Sequence, residues 1–213
     1  PFASEECSRA VLQVVDTLRG LGHTCEEAYP NISERYHDAR IACMNDGIAL
    51  EIQDMAAETG LPIDETTLEP LVYKTYLESI RRQGIDVFRA RGELAKAGRE
   101  MGRFFQRYDL LISPTSGRID RRLGTLNGTA SPEISASEWA RRRRDYACIT
   151  PLANVVGLPS ISLPLCMSAA GHPIGIEIDG GIDQDERVLQ LSAQLERAMP
   201  WHGRKPQIYV ADL

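Results

Sequence analysis

The segment from Thr150 to Pro164 constrains the fold more than any other part of the sequence. A helical or turn segment leads there into a corner, Gly157-Leu158-Pro159, and the alternating residues 160–163 predict a short strand that ends at Pro164. Glycine allows backbone conformations that other residues avoid, and a proline biases the residue before it toward an extended conformation. Residues 174–178 predict a second strand, so the two strands should form a hairpin.

A helix is expected after this hairpin. Asp183 and Glu186 stand three residues apart, which is the spacing of a capping box at a helix start. Apolar residues then recur at helical spacing until Pro200-Trp201 ends the run. They are Val188, Leu191, Leu195 and Ala198.

The N-terminal part of the chain predicts half of a β-α-β unit. An amphipathic helix is expected over 5–19, and glycines at its end favour a stop there. Residues 24–28 are then interpreted as a short strand. A helix, a glycine stop and a strand in this order favour an α/β fold, with a mixed central sheet flanked by helices.

The middle of the chain predicts three helices in succession, a strand and a loop. The helices are expected over 33–58, from a capping box at Thr66 and Glu69 onward, and over 87–108. They suggest a helical layer that covers one face of the sheet. The compact apolar run 109–113 predicts a buried strand, and 116–137 should be a surface loop.

Composition excludes several classes of protein. The formal net charge of -6 argues against nucleic acid as a partner, and no apolar run approaches the ~20 residues of a membrane-spanning helix. Five cysteines form no CxxC pair, and the four histidines have no metal-binding spacing. We therefore expect a cytoplasmic protein with no metal. Because the sequence begins at Pro1 without a methionine, it suggests a fragment, a processed chain or a trimmed one.

A series of short motifs extends over the second half of the chain. In order they are Phe104-Phe105-x-x-Tyr108-Asp109-Leu110-Leu111-Ile112-x-Pro114-Thr115, Asn154-x-x-Gly157-x-Pro159-x-Ile161-Ser162-x-Pro164, Gly171-x-Pro173-Ile174-Gly175, Asp185-Glu186, Leu195-Glu196 and Pro200-Trp201-x-x-Arg204-x-Pro206. In this order and spacing they resemble the C-terminal half of the amidase signature enzymes. Within that family they look most like the branch that includes 6-aminohexanoate cyclic-dimer hydrolase. A phrase over 21–28 fits the same branch, so the resemblance covers nearly the whole chain.

The resemblance implies hydrolysis of a carbon–nitrogen amide bond in a small-molecule substrate, with no cofactor. In the family one serine attacks the carbonyl, a second serine in a cis peptide relays the proton, and a lysine is the base. This chain has no two adjacent serines, and none of its three lysines (Lys74, Lys96 and Lys205) has a serine three residues before it. We therefore expect one domain over 1–213, the C-terminal portion of a longer amidase, without catalytic residues and inactive alone.

The resemblance assigns part of the substrate pocket to this half of the enzyme. By motif match the candidate lining residues are Thr115, Thr150 and Asn154. The alternative for Asn154 is a turn-forming side chain bonded to nearby backbone. Ser160 and Ser162 lack the spacing of a nucleophile motif and are interpreted as polar strand residues.

Several alternatives stay open at this point. The run Arg141, Arg142, Arg143 and Arg144 is expected to be a solvated helix face, although a carboxylate- or nucleic-acid-binding patch is conceivable. The parent could instead be the amidotransferase subunit that releases ammonia from glutamine, or a non-catalytic interaction module. Because half of a shared sheet would expose a strand edge and an apolar face, a chain that is stable alone is expected to form a homodimer or to cover that surface by a substituted contact.

Overall fold

Two compact units make up the chain. The computed structural model describes residues 3–119, 122–127, 134–144, 146–147, 149–206 and 208–209. The first unit, here called the sheet unit, comprises Pro1–Tyr29, Phe105–Ile119 and Ala147–Leu213, and the second, the helical unit, comprises Pro30–Phe104 and Asp120–Tyr146. The expectation of a single domain over 1–213 stays a prediction.

The described residues form seven helices and three strands. In chain order they are α1 (Glu5–Gly20), α2 (Arg35–Thr59), α3 (Pro70–Ser79), α4 (Gly84–Phe104), β1 (Leu110–Pro114), α5 (Ala136–Arg144), α6 (Thr150–Val156), β2 (Ser160–Met167), β3 (Pro173–Gly180) and α7 (Asp185–Ala198).

The three strands form an antiparallel sheet in the order β1-β3-β2. The predicted α/β fold and the predicted hairpin of β2 and β3 are both confirmed. A mixed sheet was predicted, and the strand pairs among the described residues are all antiparallel. Because β3 is the central strand, its side chains are covered by neighbours on both sides, and residues 174 and 176–180 are all buried.

The apolar core lies on one face of this sheet. Ile174, Ile176 and Ile178 alternate along β3 and are at most 2% exposed, as the period of a strand requires. They pack with the buried faces of α1 and α7. The members from these helices are Cys7, Ala10, Val14, Leu18, Val188, Leu191 and Leu195. The predicted amphipathic helices at the two ends of the chain therefore supply the core.

Pro164 lies inside a strand, and the prediction that it ends the strand was wrong. β2 continues to Met167, with a register shift between Leu163 and Cys166. A proline is tolerated there because β2 is an outer strand of the described sheet and the shift interrupts the regular ladder. The guanidinium of Arg204 donates to the carbonyl oxygens of Pro164 and Leu165 at 2.8 and 3.1 Å, so this arginine ties the C-terminal segment to β2.

The corner at Gly157 is formed as the sequence predicts. Helix α6 ends at this glycine, which has a left-handed conformation with φ of 78°, and its N–H donates to the carbonyl of Ala153 at 2.8 Å. Glycine adopts this conformation without the steric cost that a Cβ atom brings. The chain can therefore turn directly from α6 into β2.

Three local predictions were wrong. Residues 24–28 form no strand. The hydroxyl of Thr66 donates to Asp64, and Glu69 is the residue before α3. Asp183 has a φ of 63°, and α7 begins without a side-chain cap. Thr66 and Asp183 therefore belong to turns, although the sequence pattern predicted that they cap helices.

The helical unit consists of α2, α3, α4 and α5. The predicted succession of three helices before β1 is confirmed. An ion pair between Arg82 and Asp46, at 2.9 Å, joins the turn between α3 and α4 to the middle of α2. The predicted loop over 116–137 lies partly outside the described residues, and α5 begins at Ala136.

No helix among the described residues is long and apolar enough to cross a membrane. The cytoplasmic location stays a prediction.

Candidate functional site

The candidate site lies on the sheet face opposite the apolar core. Here β3 presents Gly175, Glu177 and Asp179, which alternate with its isoleucines. Hydroxyl side chains of the outer strands lie beside them, because Ser113 and Ser162 are both in register with Glu177, and Ser160 is in register with Asp179. We call this surface the polar face; its residues are Ser113, Thr115, Ser160, Ser162, Gly175, Glu177 and Asp179.

A hydroxyl pair bridges the two outer strands above Gly175. The Oγ1 atom of Thr115 and the Oγ atom of Ser162 are 2.6 Å apart, which is a short hydrogen bond. A Cβ atom at residue 175 would lie 2.8 Å from the first oxygen and 2.9 Å from the second. Only glycine leaves room for this bond, so the Gly175 position determines how β1 and β2 are joined over β3.

Two of the three predicted pocket residues are in direct contact. The Thr150 hydroxyl, at the start of α6, donates to the backbone carbonyl of Thr115 at 2.7 Å. The backbone N–H of Thr115 donates in turn to the carbonyl of Gly175 at 3.0 Å. The start of α6 is therefore tied to the end of β1 and to the polar face.

Asn154 stands apart from this network. It lies one helical turn after Thr150 on α6, and its side chain is exposed. Its side chain makes no hydrogen bond to another described residue, so no bond to nearby backbone of the kind considered as the alternative is seen there. The pocket-lining roles of Thr115, Thr150 and Asn154 stay predictions.

Two buried carboxyl groups lie at the centre of the polar face. Glu177 and Asp179 are each 2% exposed. The Ser160 hydroxyl donates to Oε1 of Glu177 at 3.1 Å. Burial, and then the charge of Asp179, raises the pKa of Glu177 to about 7, and burial also raises the pKa of Asp179.

Three oxygen atoms of the polar face are buried and lack a hydrogen-bond partner among the described residues. They are Ser113 Oγ, Glu177 Oε2 and Asp179 Oδ1. No lysine, arginine or histidine of the described chain forms an ion pair with either carboxyl group. Burying an unpaired carboxylate is costly, so this site favours neutral carboxyl groups over ionised ones.

The polar face holds hydroxyl groups but no activated nucleophile among the described residues. Lysine would be the base of the family's mechanism, yet Lys74 donates to the carbonyl of Ile134, Lys96 pairs with Glu93, and Nζ of Lys205 lies 4.6 Å from the centre of the Tyr209 ring. Within the described ranges no three histidine, cysteine, aspartate or glutamate side chains are placed to hold a metal ion. The arrangement of hydroxyl and carboxyl groups can bind and orient a polar group.

The arginine run lies in the helical unit at the exposed end of α5. Arg141 and Arg142 pair with Glu138 at 3.0 and 3.4 Å, and the guanidinium of Arg143 lies 4.5 Å from the centre of the Trp139 ring. These contacts are those of a solvated helix face, as the sequence predicts.

Glu177 and Asp179 were not among the site residues predicted from the sequence. Their signal was available in the alternation of residues 174–179, where two acids are interleaved with three isoleucines. Such alternation usually places the polar residues toward water. Here both acids are only 2% exposed, so the same pattern produces buried acids.

Comparison with known proteins identifies relatives for this arrangement. The amidase family model matches residues 2–189. A 6-aminohexanoate-cyclic-dimer hydrolase of Paenarthrobacter ureafaciens is 30% identical over 208 residues, which cover 95% of this chain and 42% of that protein. A putative amidase of Mycobacterium leprae is 29% identical over 199 residues, covering 93% of this chain and 41% of that protein.

Solved structures agree with the sequence relatives. A 6-aminohexanoate cyclic dimer hydrolase complexed with its substrate has a TM-score of 0.83 and 29% identity, and the match covers 96% of this chain and 44% of that one. The chain thus spans less than half the length of the relatives that it matches. Because the family model and the fold agree over nearly all of its residues, the chain belongs to the amidase signature family.

Proposed function

We propose that this chain is the C-terminal part of an amidase signature hydrolase that cleaves carbon–nitrogen amide bonds. The observation that carries the proposal is the match over 95% of this chain but only 42% of a cyclic-dimer hydrolase. This chain has neither adjacent serines nor a Ser-x-x-Lys pair, which supports the proposal that the catalytic residues belong to another part of the enzyme. The Ser–Ser–Lys triad then lies upstream, and this chain is inactive alone.

The upstream residues would perform the covalent steps. A serine there attacks the amide carbonyl, a second serine relays its proton to the leaving amine, and a neutral lysine acts as base. Backbone N–H groups of a glycine- and serine-rich loop would stabilise the oxyanion. The mechanism needs no metal or organic cofactor.

The described residues would supply the opposite wall of the substrate pocket. Thr115 and Thr150 are held together at the start of α6, and Asn154 presents an exposed amide one turn later. Hydroxyl and amide groups can both donate to and accept from a small-molecule amide without adding charge. We propose that these three residues orient the acyl part of the substrate.

We also propose that the chain alone forms a homodimer. The outer strands β1 and β2 each have one hydrogen-bonding edge without a strand partner among the described residues. Exposed edges of this kind favour pairing with another chain. Sedimentation of the 213-residue chain should show a dimer, and a clean monomer would contradict the proposal.

The experiment that tests the function compares this chain with the complete polypeptide that its gene encodes. Both are assayed for release of amine from a panel of small amides that includes 6-aminohexanoate cyclic dimer. The complete polypeptide should hydrolyse at least one amide and should lose this activity when its upstream nucleophilic serine is replaced by alanine. The 213-residue chain alone should be inactive.

Three results would lead to other conclusions. Hydrolysis by the 213-residue chain alone would refute the proposal that the catalytic triad lies upstream of it. Activity that requires glutamine and a partner subunit would identify an amidotransferase. A complete polypeptide without adjacent serines and a lysine would favour a non-catalytic binding module.

A further inference from the structure

We infer that the sheet continues at the outer edge of β1 in the complete polypeptide, where its neighbour is an upstream strand that leads into α1 and runs parallel to β1. The inference rests on the proposed function only in taking this chain to be the C-terminal part of a longer polypeptide. The place and direction of the strand rest on hydrogen bonds and ion pairs of the sheet unit.

The hydrogen bonds between β1 and β3 determine which backbone groups of β1 point outward. The N–H of Thr115 donates to the carbonyl of Gly175 at 3.0 Å, and these two residues continue the register of the strand pair. Hydrogen-bonded and non-hydrogen-bonded pairs alternate along an antiparallel ladder, so the odd-numbered residues of β1 bond to β3. The N–H and C=O groups of Leu110 and Ile112, and the carbonyl of Pro114, therefore point away from β3. None of these groups has a hydrogen-bond partner among the described residues.

The outer edge of β2 is interrupted, whereas that of β1 is not. Pro164 has no N–H, the register shifts within 163–166, and the Arg204 guanidinium binds the carbonyls of Pro164 and Leu165. Prolines, irregular register and charged side chains are means by which proteins block the edge of a sheet. Residues 110–113 of β1 include none of these features. β1 is therefore the outer strand that is better able to pair with a further strand.

Helix α1 runs antiparallel to β1. Just before the helix, the N–H of Ser4 donates at 2.8 Å to the carbonyl of Gly117, which lies three residues after β1. After the helix, the carboxylate of Glu26 pairs at 2.7 Å with Arg107, which lies three residues before β1. The helix thus begins at the C-terminal end of β1 and ends at its N-terminal end, and its buried residues pack on the apolar face of the sheet.

This direction is that of the helix in a β-α-β unit, which connects two parallel strands. Among the described residues β1 is the first strand after α1, and the helical unit is inserted between the two. The other strand of the unit would precede Ser4. Because Ser4 lies beside the C-terminal end of β1, a strand that leads into α1 there has the same direction as β1. This pairing would give the mixed sheet that the sequence predicts.

An upstream strand fits this edge better than a second copy of the chain does. The match to a solved cyclic dimer hydrolase covers only 44% of that protein, so a complete polypeptide of similar length has ample chain to supply a strand. A segment joined to the chain just before Ser4 has a high effective concentration at β1, which a separate molecule lacks. Leu110 and Ile112 pack only partly buried against the core. The strand should therefore carry apolar side chains on the face toward α1.

Amide hydrogen exchange in the complete polypeptide tests the inference residue by residue. The N–H of Ile112 points outward and those of Leu111 and Ser113 point toward β3, so its two neighbours are matched controls. With a strand at the edge, the Ile112 amide should exchange about as slowly as its neighbours, at least about 100-fold slower than an amide without a hydrogen bond. Free exchange at Ile112, with Leu111 and Ser113 protected, would overturn the inference.

Dilution separates an upstream strand from a second copy. In the complete polypeptide the protection of Ile112 should be the same at high and low protein concentration. Loss of protection on dilution would identify a second copy at this edge and refute the inference. In the 213-residue chain the proposed homodimer would occupy the same edge, so protection there should depend on concentration.

The direction of the strand has its own measurement. Close contacts between α hydrogens of neighbouring strands are typical of antiparallel pairs, in which facing Cα atoms approach to about 4.5 Å. Nuclear Overhauser spectra of the complete polypeptide should show no such contact across the outer edge of β1. A strong contact of this kind would contradict the parallel strand.

The amide hydrolysis assay decides the proposed function separately. If the complete polypeptide hydrolyses no amide and Ile112 is protected, the function fails and the inference stands. If it hydrolyses an amide and Ile112 exchanges freely, the inference alone fails. A native polypeptide that begins at Pro1 would contradict both.

Discussion

Replacing Gly175 by alanine tests whether the polar face is built around the hydroxyl bridge between Thr115 and Ser162. The alanine Cβ atom would lie 2.8 Å from Thr115 Oγ1 and 2.9 Å from Ser162 Oγ, and both distances are shorter than real Cβ contacts. The two hydroxyls are themselves only 2.6 Å apart, so they cannot move aside and stay bonded. The variant should therefore break the bridge.

The expected loss of stability follows from three contributions. A lost hydroxyl–hydroxyl bond costs about 1 kcal/mol, and an extra methyl group in a packed site costs about 1–3 kcal/mol. Replacing glycine by alanine restricts the unfolded chain, which returns about 0.5–1 kcal/mol. We expect the free energy of unfolding to fall by about 1–3 kcal/mol.

Urea denaturation followed by circular dichroism measures this change, with Gly47→Ala as the matched control. Gly47 lies inside α2 and a Cβ atom there would meet no other atom within 4 Å. Alanine favours a helix over glycine by about 1 kcal/mol, so the control should be as stable as wild type or more stable.

A second background separates the bridge from general crowding. In Ser162→Ala the bridge is already absent, so Gly175→Ala should cost about 1 kcal/mol less there than in wild type. The reasoning is refuted if Gly175→Ala leaves the urea midpoint unchanged, or if its cost is the same in both backgrounds.

Three further perturbations address other parts of the sheet unit. The pKa of Glu177 is raised from 4.5 to about 7 in the fold, so the neutral carboxyl group contributes its full stabilisation below about pH 4.5. This stabilisation, about 3 kcal/mol, is lost as the pH rises through about 7. Denaturation across this pH range should show the loss in wild type and not in Glu177→Gln. Arg204→Ala removes the exposed guanidinium that binds the carbonyls of Pro164 and Leu165, and the urea midpoint should fall by the equivalent of about 1 kcal/mol, with little recovery in Arg204→Lys. Gly157→Ala places a side chain at a φ of 78° and should cost about 1–2 kcal/mol, whereas Gly157→Asn should cost less; equal losses would contradict a backbone origin.

The elements that the sequence predicts well are those in which local pattern and tertiary packing agree. Helix α1 has a single apolar stripe, and Ala10, Val14 and Leu18 of that stripe are the residues that the fold buries. The corner at Gly157 is equally clear, because a left-handed residue after a short helix is a local requirement. In both places neighbouring residues alone determine the structure.

The failed predictions depend on contacts that a local pattern does not contain. Thr66 and Asp183 have the spacing of helix caps, but the Thr66 hydroxyl binds the Asp64 side chain and Asp183 takes a left-handed turn. Pro164 should end a strand by its missing N–H, yet it lies where the register of an outer strand shifts. In each place the local property that suggested the prediction is present, but the surrounding structure determines whether a helix cap or a strand end is formed.

The candidate site was predictable only in part. Family motifs predict pocket roles for Thr115 and Thr150, which stay predictions, and the structure shows that the Thr150 hydroxyl donates to the Thr115 carbonyl at 2.7 Å. Glu177 and Asp179 could not be identified in this way, because alternation with isoleucines predicts a solvent-facing acid just as well as a buried one. They lie on the central strand between β1 and β2, which are distant in the sequence and which a local pattern does not bring together.

The central claim is that this chain is the C-terminal part of a Ser–Ser–Lys amide hydrolase. The most direct test is the intact mass of the polypeptide as its source makes it, together with the peptide sequence upstream of Pro1. The account predicts a product of about twice this length, with adjacent serines in a glycine-rich run and a lysine upstream, since the chain spans 42% of a related hydrolase. A native product that begins at Pro1 would contain no such nucleophile and would contradict the claim.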